Sequence, residues 1–170
     1  SDLINLLSRR FDTVKLYYYT NLVLATLAVA MWFLPTGQAY QTLWLVVILG
    51  NGIILGFTLP LHFSLMAFSD DYGEWKTGKR VTGISFSGNL FFLKVGLAVA
   101  GAMVGFLLSW YGYDAGAKAQ SASALNGIVL LFSVIPGVGY LITAGVVRLL
   151  KVDRTLMRQI QSDLEKRSEE

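Results

Sequence analysis

Lys94 is the residue of this 170-residue sequence whose position points most directly to chemistry. It lies near the middle of the apolar stretch 81–111, which contains no other Asp, Glu, Lys or Arg. A charge at that depth in a bilayer costs at least about 2.5–3.5 kcal/mol on insertion scales, and such charges usually mark substrate or ion pathways. We therefore expect Lys94 to face protein or water and to have a polar or anionic partner. The alternative is a structural lysine whose ammonium group donates to a backbone carbonyl.

The helical face that carries Lys94 consists mostly of small residues. Helical spacing places positions 87, 91, 98, 101 and 105 on it, and these are Ser, Phe, Ala, Gly and Gly. Small residues let helix backbones approach closely, so this face predicts a close helix contact or the wall of a cavity. Glycines spaced four residues apart predict helix packing at two places, Gly52 with Gly56 and Gly101 with Gly105.

The sequence offers Lys94 no acidic partner at a matching depth, because all eleven acidic residues fall in predicted loops or tails. We therefore expect the partner on another segment or on another chain. The sequence also begins at Ser1 within a polar segment. We expect it to be the C-terminal piece of a longer protein, whose N-terminal part would supply the missing side of the site.

Asn89 and His62 are two further candidates for lining a cavity around Lys94. Asn89 lies five residues before Lys94, so the two residues are not quite on the same helical face. His62 is the single histidine and follows Pro60 in the second apolar stretch, where it could take part in proton transfer. The alternatives are an amide that bonds across helices and a histidine that serves as a polar packing residue.

Segment 69–80 combines charges of both signs with two aromatic residues. We predict a cytoplasmic loop there, and a solvated turn is the simplest interpretation. Aromatic residues among salt-bridging charges favour instead a gate that latches against another cytoplasmic segment. The candidate gate residues are Asp71, Tyr72, Glu74, Trp75, Lys76 and Arg80.

The sequence lacks the residue sets that enzymes and metal sites need. It has no cysteine and one histidine, which leaves no thiolate chemistry and no His or Cys cluster for a metal. No nucleophile with a base, phosphate-binding loop or HExxH motif is present. We expect neither an enzyme nor a bound cofactor. The net charge of +3 is explained better by membrane topology than by a nucleic-acid partner.

The composition indicates an all-α integral membrane protein. Charged residues make up 15% of the sequence, whereas soluble domains carry about 25%, and the mean hydropathy is +0.55. A spanning helix needs about 20 apolar residues. Four stretches meet this requirement: 16–34, 40–68, 81–111 and 122–147.

Two further features complete the predicted architecture. We expect a bend at Pro60 and a break within 135–139, where the sequence reads IPGVG. Residues 1–151 would form the transmembrane unit. Residues 152–170 would form a cytoplasmic amphipathic helix and tail, because Val152, Leu156, Ile160 and Leu164 recur every four residues.

The basic residues predict the orientation in the membrane. Of the 14 Lys and Arg, 12 flank the same side of the four stretches, beginning with Arg9, Arg10 and Lys15. Lys118 lies on the opposite side and Lys94 within the membrane. Cytoplasmic loops carry such an excess of Lys and Arg. We therefore place both ends of the chain and segment 69–80 in the cytoplasm, with the protein crossing the plasma (inner) membrane several times.

One run of residues gives the sequence a family resemblance. It reads DYGEWKTGKR over residues 71–80 and is followed by Lys94-Val95-Gly96 and by Gly112-Tyr113 at the outer end of the same apolar stretch. With the tail 156–164, it resembles the glycoside–pentoside–hexuronide:cation symporters, the melibiose permease-like family of the major facilitator superfamily. The resemblance implies that the four spans match helices nine to twelve of a twelve-helix transporter.

The resemblance also implies a function. A sugar would be carried together with a cation, Na⁺ or H⁺, by alternating access around a site at the membrane midplane. Lys94 would lie near the sugar and cation sites, Asn89 near the sugar, and His62 along the same cavity. Phe68 stands where the family often has an acidic residue, and Leu59 stands where melibiose permease has a tryptophan. The identity of the sugar is therefore left open.

The partners implied are a sugar substrate, the lipid bilayer and the missing N-terminal transporter half or another chain. An alternative from a different class is a free-standing four-helix membrane scaffold or assembly module. Such a module would oligomerise through small-residue helix faces, with Gly101 and Gly105 at the contact. A gene that continues upstream with further hydrophobic spans would distinguish the transporter from this module.

Overall fold

The computed structural model describes residues 12–80, 82–150 and 154–169, and within these ranges the chain forms α-helices and no strand. Four helical segments of this part are apolar and long enough to cross a membrane. The prediction of an all-α membrane fold with four spans is therefore confirmed. The four segments are Thr13–Met31, Gln41–Thr77, Thr82–Trp110 and Ala122–Leu149.

Some residues used in the predictions lie outside the described residues. They are Arg9 and Arg10, Val81 at the predicted start of the third span, and Lys151 and Val152 at the predicted boundary of the C-terminal helix.

The first helix, α1, runs Thr13–Met31 and starts three residues before the predicted position 16. Asp12 explains the earlier start, because its carboxylate accepts a hydrogen bond from the Val14 N–H at 3.0 Å. This bond satisfies one of the free N–H groups of the first turn. Hydropathy predicts where a helix enters the apolar phase, whereas the cap decides where the helix begins.

The second helix, α2, runs Gln41–Thr77 as one element of 37 residues, so the predicted loop at 69–80 is wrong for most of its length. At 1.5 Å per residue the helix is about 55 Å long, whereas a hydrocarbon core is about 30 Å thick. Its charged end therefore continues as helix beyond the apolar stretch. It ends at Gly78, whose φ of 69° suits glycine and whose N–H donates to the Glu74 carbonyl at 2.7 Å.

The fourth span is divided into α4 (Ala122–Phe132) and α5 (Val134–Leu149) at Ser133, not within 135–139 as predicted. Pro136 explains the shift. A proline lacks the N–H that would bond the carbonyl four residues earlier, here that of Phe132, and its ring clashes with that carbonyl. The proline itself is tolerated in the first turn of α5, where N–H groups are free in any case. Ser133 is fully buried, and its hydroxyl donates to the Val129 carbonyl at 2.6 Å.

Helix α1 lies at the centre of the packed helices, where it contacts α5 and α2 most extensively. Its contact with α5 is close because small residues meet there. Ala25 and Ala28 of α1 and Ala144 of α5 are almost fully buried. A Cβ added to Gly137 of α5 would lie only 2.8 Å from Cγ2 of Val29. The glycine thus lets the two backbones approach.

The third helix, α3 (Thr82–Trp110), has no buried residue along its length. Where the chain leaves α3, Tyr111 packs on Gly127 of α4, and a Cβ on that glycine would lie 2.7 Å from the tyrosine Cβ. The apolar side chains of α3 otherwise face away from the other described helices. In a membrane protein such a surface faces lipid or further protein.

The last helix, α6 (Arg154–Glu169), packs against the charged end of α2. The predicted C-terminal amphipathic helix is therefore present, and Ile160 of its apolar stripe is fully buried. The four glycines predicted to pack helices do not do so among the described residues. A Cβ at Gly52, Gly56, Gly101 or Gly105 would meet no atom within 4 Å, so their packing role stays a prediction.

Replacement of Gly137 by alanine should destabilise the contact between α1 and α5. The added methyl group overlaps Val29, and overpacking of this kind costs about 1–3 kcal/mol. Gly139→Ala is the matched control, since its Cβ would meet nothing within 4 Å. Thermal unfolding of the detergent-solubilised protein should show a lower midpoint for Gly137→Ala alone. Equal midpoints for the two variants would contradict the close approach.

Candidate functional site

Lys94 and Asn89 both lie on α3, the helix that the described chain leaves uncovered. Lys94 is exposed and Asn89 is half-buried. No described residue forms a hydrogen bond or an ion pair with Lys94. A lone ammonium group in an apolar helix needs such a partner, and the partner expected on another segment or chain stays a prediction.

An open groove of about 760 Å³ lies along the start of α3. Its lining includes Arg80, Gly83, Ser87 and Phe91. Positions 87, 91 and 94 are spaced four and three residues apart, so the groove shares the helical face of Lys94. The groove ends at Phe91, and Lys94 lies about one helical turn further along the same face of α3.

His62 lies on α2 and is directed to α1. Its Nδ1 is 3.4 Å from the Tyr17 hydroxyl, and the two ring centroids are 6.2 Å apart. No hydrogen bond, ion pair or ring contact among the described residues joins His62 to Lys94 or Asn89. The structure therefore does not bring the three predicted cavity residues together, and His62 occupies the contact between α1 and α2.

Tyr17 and Asn21 form a polar group on α1 that the sequence did not single out. Both are buried, and the Asn21 amide donates to the Tyr17 carbonyl at 2.8 Å. The signal was present, because Asn21 is a lone amide within an apolar stretch. Its four-residue spacing from Tyr17 would have placed both on one helical face.

Five of the six candidate gate residues lie on the last two turns of α2, and Arg80 follows the end of the helix. Glu74 and Arg80 form an ion pair with 3.7 Å between Oε2 and Nε. The Lys76 ammonium lies 5.9 Å from the centroid of the Tyr72 ring. That ring is 6.1 Å from the ring of Trp75. The charges of the gate therefore contact one another within this segment.

Trp75 also contacts α6. Its indole N–H donates to Oδ2 of Asp163 at 2.9 Å, and its carbonyl accepts from Nη1 of Arg167 at 3.2 Å. The segment that contacts this end of α2 in the structure is thus α6, and the gate role of the contact stays a prediction. Asp163 and Arg167 were not candidate residues, since the predicted stripe followed Val152 to Leu164.

Asp70 is an acidic residue of this segment that the predictions passed over. Its side chain is 6% exposed, and its Oδ1 has no hydrogen-bond partner. A buried polar atom without a partner costs free energy, and such positions deserve a functional explanation. Because 69–77 is helical, the neighbouring acids Asp70 and Asp71 point about 100° apart. A helical interpretation of this segment would have separated an inward from an outward carboxylate.

A cavity of about 370 Å³ brings the ends of several helices together beside the gate. Val14 of α1, Phe68 and Tyr72 of α2, and Leu156 of α6 line it, with Leu150 after α5. The start of α1, the end of α2, the end of α5 and helix α6 therefore lie on one side of the molecule. A second cavity of about 260 Å³ between α1, α2, α4 and α5 includes Asn51, Gly52 and Tyr140 in its lining.

The chain matches a family described as MFS/sugar transport protein over residues 3–154. It is 43% identical over 131 residues to the inner membrane symporter YicJ of Escherichia coli. The aligned residues make up 77% of this chain and 28% of the relative. It is 40% identical over 112 residues to the isoprimeverose transporter of Lactiplantibacillus pentosus, and this alignment covers 66% of this chain and 23% of the relative.

A third relative is an uncharacterised 29.9 kDa protein of Pseudescherichia vulneris, 36% identical over 154 residues, which covers 91% of this chain and 56% of the relative. The chain thus spans between about a quarter and about half of the length of these curated relatives. No solved structure matches it.

The contact between Tyr17 and His62 should stabilise the packing of α1 on α2. We expect Tyr17→Phe and His62→Ala each to lower the free energy of unfolding by about 0.5–1.5 kcal/mol, the usual net contribution of one hydrogen bond. The double variant should lose less than the sum, because both changes remove the same contact. Thermal unfolding midpoints measure this, with Tyr19→Phe as control, since Tyr19 is 60% exposed. Fully additive losses would contradict the pairing.

Proposed function

The chain belongs to the MFS/sugar transport protein family, and on that premise we propose that it is part of a cation-coupled sugar symporter. The family expected from the resemblance at residues 71–80 is thereby confirmed. It is a family of transporters, and the chain is a multi-pass membrane protein with four apolar helices. Family membership favours the transporter over the free-standing scaffold module.

The match over residues 3–154 is the observation that carries this proposal. Two matched proteins bear transport names, one as an inner membrane symporter and one as an isoprimeverose transporter. In such transporters, parts of the fold rock about a site near the bilayer midplane. The present chain would contribute one side of that site, and the substrate would be a sugar coupled to Na⁺ or H⁺.

Lys94 is the residue that we propose to face the transport cavity, with Asn89 beside it. The supporting observations are the depth of Lys94 in α3, the lack of any partner for it among the described residues, and the groove on the same helical face, whose lining extends from Arg80 to Phe91. The uncovered face of α3 would meet the remaining part of the transporter or another chain. His62 would act on the cavity only indirectly, through its contact with Tyr17 on α1.

The end of α2 is the segment that we propose as a cytoplasmic gate. Asp71, Tyr72, Glu74, Trp75 and Lys76 lie on its last turns, with Arg80 just beyond. The ion pair between Glu74 and Arg80 lies at the surface, with Arg80 exposed and Glu74 half-buried, and surface pairs contribute at most about 1 kcal/mol. A weak pair suits a gate, because its charges can exchange partners during a transport cycle at little cost.

The orientation that we propose places this gate and both ends of the chain in the cytoplasm, in the plasma (inner) membrane. The distribution of Lys and Arg supports it. The cavity that joins the start of α1 with the ends of α2 and α5 supports it as well, because these ends carry the basic residues.

Replacement of Lys94 by valine should abolish uphill sugar uptake without loss of expression. Valine removes the single charge of the apolar stretch 81–111 and leaves the helix apolar. The full-length gene product is used. A counterflow screen of sugars at varied Na⁺ concentration and pH first identifies its substrate and its coupling cation. Uptake into vesicles then compares the variant with Lys118→Val, the same change in an exposed loop. Normal uptake by Lys94→Val would refute the assignment.

Neutralising the gate charges with Asp71→Asn and Arg80→Gln should change the maximal rate of uptake more than the half-saturating sugar concentration. The reason is that a gate controls the motion and does not touch the sugar. Initial rates over a range of sugar concentrations measure both quantities. Lys118→Gln removes a charge in the opposite loop and should change neither. Unaltered kinetics in both gate variants would count against a gate at this segment.

A further inference from the structure

Helix α6 contacts the end of α2 through two hydrogen bonds to one residue, Trp75, one at its side chain and one at its backbone. The indole N–H of Trp75 donates to Oδ2 of Asp163 at 2.9 Å, and Nη1 of Arg167 donates to the Trp75 carbonyl at 3.2 Å. We call these three residues the clasp. Ile160 of α6, which is fully buried, adds an apolar contact one turn before Asp163. The attachment therefore combines burial with two hydrogen bonds, one to the carboxylate of Asp163 and one from the guanidinium of Arg167.

The three residues of α6 that make this attachment share one helical face. Ile160, Asp163 and Arg167 are spaced three and four residues apart, which brings their side chains to one side of the helix. Arg158, on the opposite face of α6, is exposed, and so is Lys166, which lies at the edge of the contact face one turn beyond Asp163. One face of α6 thus serves the contact with α2, and its other faces remain polar and open to solvent.

Arg167 acts on a backbone group that α2 cannot satisfy by itself. The last four carbonyls of a helix have no partner within the helix, and Trp75 lies two residues before the end of α2. The guanidinium donates to this carbonyl and places a positive charge at the negative end of the helix dipole. The helical geometry of the segment that carries Asp71 and Glu74 is therefore held from outside, by α6.

The ring of Trp75 links the clasp to the gate charges. It lies 6.1 Å from the ring of Tyr72, which in turn lies 5.9 Å from the Lys76 ammonium. A rotation of the indole away from Asp163 would disturb its contact with the Tyr72 ring, on which the Lys76 ammonium lies. The orientation of Trp75 is thus coupled to the orientation of two residues on the same turns as Asp71 and Glu74.

We propose that Asp163 and Arg167 are positioning residues for the cytoplasmic gate, and that α6 and the end of α2 move as one unit during transport. The gate role rests on the proposed symport function, whereas the clasp itself does not. Asp163 fixes the indole of Trp75, Arg167 fixes its carbonyl, and Ile160 keeps the two helices in contact. The clasp stays closed in every state of the transport cycle.

A fluorescence experiment tests whether the clasp stays closed. Residues 1–170 contain no cysteine, so once any cysteine elsewhere in the encoded protein has been replaced, Lys166→Cys gives one site for a bimane label, which nearby tryptophan quenches. Of the four tryptophans in residues 1–170, Trp32, Trp44 and Trp110 lie at the opposite ends of the spans, so Trp75 is the quencher that this chain supplies. We expect quenching in the protein with and without substrate and cation. Asp163→Ala and Arg167→Gln should relieve it, and Ser162→Ala, on an exposed position, should not.

Two outcomes of this measurement would overturn the proposal. One is an unquenched label in the otherwise unaltered protein, which would mean that α6 is not fastened to Trp75. The other is relief of quenching when the sugar and the cation are added, which would mean that the clasp opens during transport. Trp75→Phe checks the quencher, because the label should then be bright under all conditions.

Uptake kinetics test the positioning role. Asp163→Ala and Arg167→Gln should lower the maximal rate several-fold and leave the half-saturating sugar concentration unchanged. Asp163→Asn keeps a side-chain oxygen that accepts from the indole N–H and should restore most of the rate. A change in half-saturation at an unaltered rate, or unaltered kinetics in both variants, would overturn the gate role. If the unaltered protein moves no sugar in the counterflow screen, the symport proposal fails instead, and the quenching pattern still decides whether the clasp exists.

Discussion

The core of a bilayer contains no water to bond backbone N–H and C=O groups, so a spanning segment must satisfy these groups within itself. This constraint explains why the apolar stretches of the chain form continuous helices long enough to cross the hydrocarbon core. It also explains how the hydroxyl groups of these helices are hydrogen-bonded. Thr26, Thr58, Ser64 and Ser87 each donate to the carbonyl four residues earlier. A hydroxyl that bonds its own helix can face lipid without a partner on another helix.

The same constraint explains where the backbone of a span can depart from a helix. Pro136 leaves the Phe132 carbonyl without its helical donor, and the chain interrupts the helix at Ser133, which is fully buried. The new helix, α5, then approaches α1 at Gly137. A break that would be costly in lipid is therefore buried in protein, one turn before the close approach of α5 to α1.

The described helices differ in how much protein surrounds them. Helices α1, α2, α5 and α6 pack together, whereas α3 has no buried residue. The most polar feature of α3, Lys94, thus lies on the helix with the least protein around it. For a chain that spans a quarter to half of the length of its relatives, this arrangement fits a surface that further transporter helices would cover.

The sequence by itself determined the membrane class, the four spans, the family and the unusual status of Lys94. These depend on hydropathy and on a local motif, DYGEWKTGKR, which need no knowledge of contacts. It misplaced the loop at 69–80, because hydropathy marks the end of the apolar phase and not the end of a helix. Gly78, with its positive φ, decides the end of α2.

Only the tertiary structure decided which residues meet. His62 pairs with Tyr17 across 45 positions of the sequence, and Trp75 meets Asp163 across 88. Such partners are chosen by how helices pack, and several pairings would satisfy the same periodicity. The close glycine contact at Gly137 was hidden for the same reason, since spacing alone favoured other glycines. The chemistry of each residue is local, but its partner is set by the fold.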